Sequence, residues 1–276
     1  LHADCVLYMQ QWCNFDDICR LLAAGSNIVT TRVEFHCPRM LDPALRERIE
    51  TACREGGTSI YSTGSSPGFI TEALPLVLTS LQRRLDGLTI DEFADLSSRD
   101  SPDLLFNIMG YGQPPVAFGE QRLAHVRTGF AYSMHQLADA ISMPLDSVEV
   151  CGEVATARHT VRIDAGEIAA GTVGAQRITV SGMRNGQPLL RIRLNWYCTR
   201  DIDAAWDLRE TGWRVLVEGD TPLDVNITFP VPLETMAATT PGYTAHRAVN
   251  AVPVVCAAPP GIRTTVDLPQ VIANLA

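Results

Sequence analysis

Three short β-prone runs, Asp4–Met9, Asn27–Thr30 and Thr58–Ser62, are separated by two stretches of helical periodicity, and that alternation leaves few folds open. The first intervening stretch carries Asn14 as a cap, Ile18, Leu21 and Leu22 on one face, and Gly25 as a stop. The second opens on Asp42-Pro43, a cap followed by an N1 proline, and lines up Leu45, Ile49, Ala52 and Cys53. This β-α-β-α-β order predicts the second half of a Rossmann-type doubly wound domain. Such a domain opens with a strand and a Gly-x-Gly-x-x-Gly turn, and the sequence contains neither ahead of Asp4. The expectation is therefore a fold that begins before Leu1, by about 60–80 residues at roughly 30 or more per βαβ unit. A different, complete α/β domain is the alternative.

Beyond Leu81 the texture changes. Leu85–Leu96 reads as a strand, Pro102 opens a short helix through Met109, and Arg122–Ile141 reads as a longer one with Leu123, Val126, Phe130, Met134 and Leu137 at helical spacing. From Leu145 the period is two: Leu190, Ile192, Leu194 and Trp196 alternate with Arg191, Arg193 and Asn195. Asn185-Gly186 is a hairpin turn signal. These features predict an α+β domain with a large, mostly antiparallel sheet over residues 82–240, after a nucleotide-binding remainder over residues 1–81. Thr240-Pro241 is expected to start a last helix, and residues 241–276 to pack back on the first domain.

Composition removes several functions. All 22 basic residues are arginine, so Schiff-base lysines, lysine-bound pyridoxal phosphate and Walker-type phosphate loops are excluded together. A net charge of −9 with no basic stripe argues against a nucleic-acid partner. The 8 cysteines are scattered without CxxC or zinc spacing, which reads as reduced thiols, several of them buried in apolar runs, in a cytoplasmic protein without a metal. No apolar run approaches a membrane span.

The candidate site is the run Thr63-Gly-Ser-Ser-Pro-Gly68, where a strand end meets an apolar helix-like segment, Ile70–Leu81. At the C-terminal edge of a parallel sheet such a corner lets backbone approach a cofactor or substrate; a plain connector rich in small residues is the competing reading. Glu34 lies just past the second strand, on the same edge. By residue type alone an exposed loop carboxylate is the commoner reading there. His36 reads as a surface histidine, and Cys37 lacks the partners of a nucleophile. Phe69, Ile70, Leu74 and Leu78 are most simply core, and those nearest the helix start could shape a small apolar substrate.

Four segments, Asp4–Met9, Leu21–Val29, Thr63–Phe69 and Arg247–Gly261, resemble the native amine dehydrogenases and their diaminopentanoate dehydrogenase relatives, whose fold is shared with dihydrodipicolinate reductase. The resemblance implies an NAD(P)-dependent enzyme that aminates small ketones or aldehydes with ammonia, and runs in reverse. It makes Glu34 the matching position for the catalytic glutamate, there to orient ammonia and offset the iminium charge. The cofactor set implied is Met9, Gln10, Thr30, Thr31, Thr63, Gly64, Pro67 and Gly68; Phe69, Ile70 and Leu74 would size the substrate pocket, with Phe106 and Asn107 closing it. A homodimer through the second-domain sheet is also implied. The paired histidines and lysine of dihydrodipicolinate reductase are absent, so ring reduction of a dicarboxylate is not. A diaminopentanoate-type activity would need a cation for the substrate carboxylate, such as Arg32 or Arg39. A non-catalytic remnant is the third alternative.

Overall fold

The computed structural model describes residues 3–275; residues 1, 2 and 276, at the ends of the first and last expected regions, lie outside it. The chain divides into two compact units, one of residues 1–80, 129–144 and 240–276, the other of residues 81–128 and 145–239. Residues 129–144 thus group with the first unit, although they fall within the stretch assigned by sequence to the second domain.

The first unit starts with β1 (Cys5–Tyr8), α1 (Phe15–Ala23) and β2 (Asn27–Thr30). The Asn14 side chain accepts from the backbone N–H groups of Asp16 and Asp17, at 3.1 and 3.2 Å, which nucleates α1 as its sequence predicts. Gly25, at φ +92°, ends that helix, because only glycine takes this conformation without strain. After α2 (Pro43–Gly56), capped by Asp42 through Leu45 N–H at 3.0 Å, comes β3 (Ser59–Ser62). Ile18, Leu22, Ile49 and Cys53 of the two helices close with Ile28 and Ile60 of the sheet into one core cluster. Strand β1 is only partly covered, with Leu7 44% exposed, because it stands at the sheet edge; the sequence had suggested a buried strand.

The segment after β3 is less regular than its apolar composition suggests. Ser66, Pro67 and Gly68 are non-helical, and the chain winds in a widened turn through Ala73 before α3 (Leu74–Thr79).

In the second unit β4 (Leu85–Asp95) is followed by the wide turn Asp103–Ile108 and α4 (Glu120–Ala140), whose last residues belong to the first unit. Strands β5 (Ser147–Thr156), β6 (Val161–Ile163), β7 (Gly166–Ile168), β8 (Val173–Arg184), β9 (Gln187–Tyr197), β10 (Gly212–Gly219) and β11 (Leu223–Thr228) follow. Six of these build a sheet of order β11-β10-β4-β9-β8-β5, antiparallel throughout except for the parallel pair β4–β9. Asn185 and Gly186, at φ +51° and +71°, make the β8–β9 hairpin turn. Leu190, Ile192 and Leu194 are buried on one face, while Arg193 on the other holds Asp91 through two hydrogen bonds of 2.6 Å.

Helix α5 (Leu233–Cys256) starts well before Pro241, so that proline is internal and removes one helical hydrogen bond instead of opening the helix as expected. Its C-terminal part returns to the first unit, where Ala248, Ala251 and Val255 pack with Val29, Tyr61 and Leu268. A three-residue strand, β12 (Gly261–Arg263), then pairs parallel with β3 and completes the sheet order β1-β2-β3-β12. No pattern of residues pointed to this strand. Among the described residues no helix is long and apolar enough to cross a membrane.

Candidate active site

The C-terminal tips of β1, β2 and β3 are laced into one crest within the first unit. Thr30 Oγ1 donates to the Tyr8 carbonyl at 2.6 Å and accepts from Arg32 N–H at 3.1 Å; Thr63 N–H reaches the Thr30 carbonyl at 2.9 Å; Ser62 Oγ donates to the Arg32 carbonyl at 2.7 Å. These short polar residues satisfy strand-end groups that the parallel ladder leaves unpaired.

Glu34 stands on this crest, in the single helical turn Val33–Phe35. Arg32 Nη2 donates to Glu34 Oε1 at 2.6 Å, and Arg32 Nη1 to the Gln11 carbonyl at 2.6 Å, so one guanidinium ties the β1 tip to the carboxylate. Burial works against the Arg32 charge, but its bonds to Glu34 and Cys13 outweigh it and raise its pKa above the ordinary value. The other carboxylate oxygen, Oε2, is screened from solvent and has no hydrogen-bond partner among the described residues. An acceptor in that state is costly unless something donates to it.

The loop beside it is closely built. Gly64 C=O accepts from Phe69 N–H at 2.8 Å, the Ser66–Pro67 peptide is cis, and Gly68 sits at φ +122° with its N–H on Thr71 Oγ1 at 2.9 Å. A Cβ on Gly68 would come within 3.1 Å of Thr63 Oγ1, a tight contact added to a dihedral that favours glycine. Ser65 Oγ and Thr244 Oγ1, 2.7 Å apart, fasten the loop to α5.

Beneath lies a polar cluster that sequence reasoning missed. His36, expected at the surface, is 2% exposed; its Nδ1 lies 2.5 Å from Glu72 Oε1, and both side chains are sealed from solvent. Glu72 Oε2 accepts from Thr265 Oγ1, which also meets the Tyr61 hydroxyl at 3.2 Å. Burial first, and the Glu72 charge second, push the Tyr61 phenol above its usual range. The contact of His36 with Glu72 is an ion-pair distance without hydrogen-bond alignment, since Nδ1, Nε2 and Oε1 have no aligned partner. Cys37 offers no thiolate near neutrality, because burial lifts its pKa to about 11.

The remaining expected residues fall in separate places. Met9 and Gln10 line a depression of about 500 Å³ with Gln11, Asp17 and Arg20; Thr31 touches Met9 Sδ at 3.6 Å. Phe69 and Leu74 line an apolar cavity of about 620 Å³ with Tyr61, Val77 and Arg247, whereas Ile70 is fully enclosed and cannot form a pocket wall as expected. Phe106 and Asn107 belong to a cavity of the second unit.

The chain is similar to known proteins. The family model of the 2,4-diaminopentanoate dehydrogenase C-terminal domain matches residues 69–276. An amine dehydrogenase of Streptomyces virginiae is 28% identical over 260 residues, 92% of this chain and 72% of that protein. A 2,4-diaminopentanoate dehydrogenase of Acetoanaerobium sticklandii is 24% identical over 261 residues, 92% and 70% of the two. In fold, the amine dehydrogenase structure from Mycobacterium smegmatis matches with a TM-score of 0.66 at 18% identity, over 98% of this chain and 77% of that one. The chain belongs to the 2,4-diaminopentanoate dehydrogenase family, through the C-terminal domain that fills most of its length.

Proposed function

We propose that this protein is an NAD(P)H-dependent amine dehydrogenase: a small ketone or aldehyde, ammonia, NAD(P)H and a proton give a primary amine, NAD(P)⁺ and water, and the reverse. The single observation that carries this reading is the vacant, solvent-screened Oε2 of Glu34 on the crest where β2 ends. A carboxylate with one oxygen fixed by Arg32 and the other unsatisfied suits a nitrogen that brings N–H donors and develops positive charge.

Fit to the cofactor at its nicotinamide end is supported by the small-residue turn Gly64–Gly68 after β3, whose glycine backbone can approach a ligand closely. Thr63, Gly64, Pro67 and Gly68 would hold that end, with Thr30 and Thr31 beside them. Bound there, the nicotinamide supplies the hydride. The chain's own part is to orient ammonia at Glu34, accept its proton, and offset the cationic charge through the same carboxylate. Arg32 keeps Glu34 from rotating away and leaves Oε2 as the reactive oxygen. Phe69 and Leu74 would contribute apolar surface toward a small substrate.

The relative from Acetoanaerobium sticklandii suggests an amino-acid substrate as a second reading. Neither arginine expected for its carboxylate favours it, since Arg32 holds Glu34 and Arg39 holds Asp139. A homodimer belongs to the same proposal, as does a reducing cytoplasm, with which the 8 free cysteines among the described residues agree.

The test is NADPH consumption with cyclohexanone and ammonium, comparing the parent protein with Glu34→Gln. The amide should lower turnover by about 10²–10⁴-fold, the usual worth of a positioned acid–base group. Equal activity would remove Glu34 from the chemistry.

A further inference from the structure

The cavity of the second unit, about 500 Å³, is walled largely by Phe106, Met109, Val116, Phe118 and Val173 and contains no acidic side chain. One cation enters it, Arg122 in the first turn of α4. Its Nη2 donates to Gln176 Oε1 at 2.8 Å and its Nη1 to the Met109 carbonyl at 3.2 Å. The guanidinium carbon lies 4.7 Å from the centre of the Phe118 ring. Gln176, 3% exposed, is in turn fixed by donating its Nε2 to Met109 O at 2.5 Å. Phe118 packs on Gly152, where a Cβ would stand 2.4 Å from the ring. The arginine is thus held in one orientation by two neutral acceptors and a ring.

What it lacks is a counterion. Among the described residues no carboxylate pairs with Arg122, in contrast to Arg32, Arg39, Arg193 and Arg214, each of which meets one. Burial lowers its pKa, partly opposed by the enclosed Tyr111 phenol. A half-buried cation without a carboxylate keeps part of its desolvation cost, which an anion beside it would offset. The planar fork, with donors left over after Gln176 and Met109, matches a carboxylate. The apolar walls match a short hydrocarbon body.

We propose that this cavity is a binding site for a small carboxylic acid with an apolar body, its carboxylate taken by Arg122. The site rests on none of the Glu34 chemistry, so it can stand or fall separately from the reductive amination above.

Isothermal titration of the full chain with 4-methylpentanoate, and with the uncharged 4-methylpentanamide, tests it. The acid should bind about tenfold or more tightly than the amide, as a charge-assisted bidentate contact requires, and Arg122→Met should abolish that preference. Equal binding of acid and amide by the parent protein overturns the proposal, as does no binding of the acid at millimolar concentration. So does an unchanged preference in Arg122→Met. The acid–amide comparison needs no variant, so poor folding of Arg122→Met does not blunt it. In the holoenzyme, competition by 4-methylpentanoate against a ketone would mark the acid as part of a substrate; binding without competition would mark a separate effector. Either result keeps the site.

Discussion

Two glutamates of the first unit lie on neighbouring structure and have opposite surroundings. Glu34 keeps a fifth of its side chain exposed, pairs with a permanent cation, and has one oxygen without a partner. Glu72 is about 1% exposed, faces a histidine, and is bonded to Thr265. The first is arranged like a group awaiting a ligand; the second joins the turn after β2, the turn after β3 and the chain after β12. Each leaves one oxygen without an aligned hydrogen bond, but that of Glu72 faces His36 in an enclosed space, whereas Glu34 keeps part of its side chain exposed; exposure points to chemistry, enclosure to architecture. The two can therefore be separated by asking whether a substitution changes rate or stability.

The largest expected contrast is the Glu34→Gln rate loss described above with little change in unfolding free energy, less than about 1 kcal/mol, because the pair with Arg32 is partly solvated. A large loss of stability in that variant would collapse the distinction. Next, Glu72→Ala should destabilise by about 3–5 kcal/mol in urea unfolding, since it strands a buried His36; turnover per folded molecule should fall far less than in Glu34→Gln. Gly68→Ala should cost about 1–3 kcal/mol through the strained dihedral and the contact with Thr63, and should weaken cofactor binding measured by fluorescence titration. Unchanged affinity there would detach the loop from the cofactor.

The smallest effect is in alkali. Tyr61 has its folded pKa raised by burial and by Glu72, so its contribution to stability is intact below the unfolded value near 10. It is lost as pH rises from there through the raised folded value, at no more than about 1.4 kcal/mol per pH unit. Tyr61→Phe should lose less stability between about pH 8 and about pH 10.5 than the parent in the same urea series. Parallel declines would show that Tyr61 ionises as freely in the folded state as in the unfolded one.

Much of the fold was legible because its signals are local. Asn14, Asp42-Pro43 and Asn185-Gly186 each set a cap or turn through their own side chain or dihedral, with no need of distant chain. Strand β12 was not legible, since three residues after two prolines form a strand only against β3. The His36–Glu72 pair was hidden for a related reason. Charged residues default to the surface, and only the adjacency of β2 and β3 brings residues 36 apart in sequence into one enclosed space. Arg122 was read as part of an amphipathic helix, and its lack of a carboxylate partner becomes visible only when every neighbour is placed. Glu34 was readable as a position on the sheet edge, but not its division into one fixed and one vacant oxygen.

The hydroxyl contact between Ser65 and Thr244, together with Thr265 on Glu72, has a consequence for how the molecule is made. A ribosome delivers the loop long before the threonines that steady it, 179 and 193 residues further on, so the nascent polypeptide carries an unfinished corner until they emerge. The corner matures only when that later segment has emerged and added its strand beside β3.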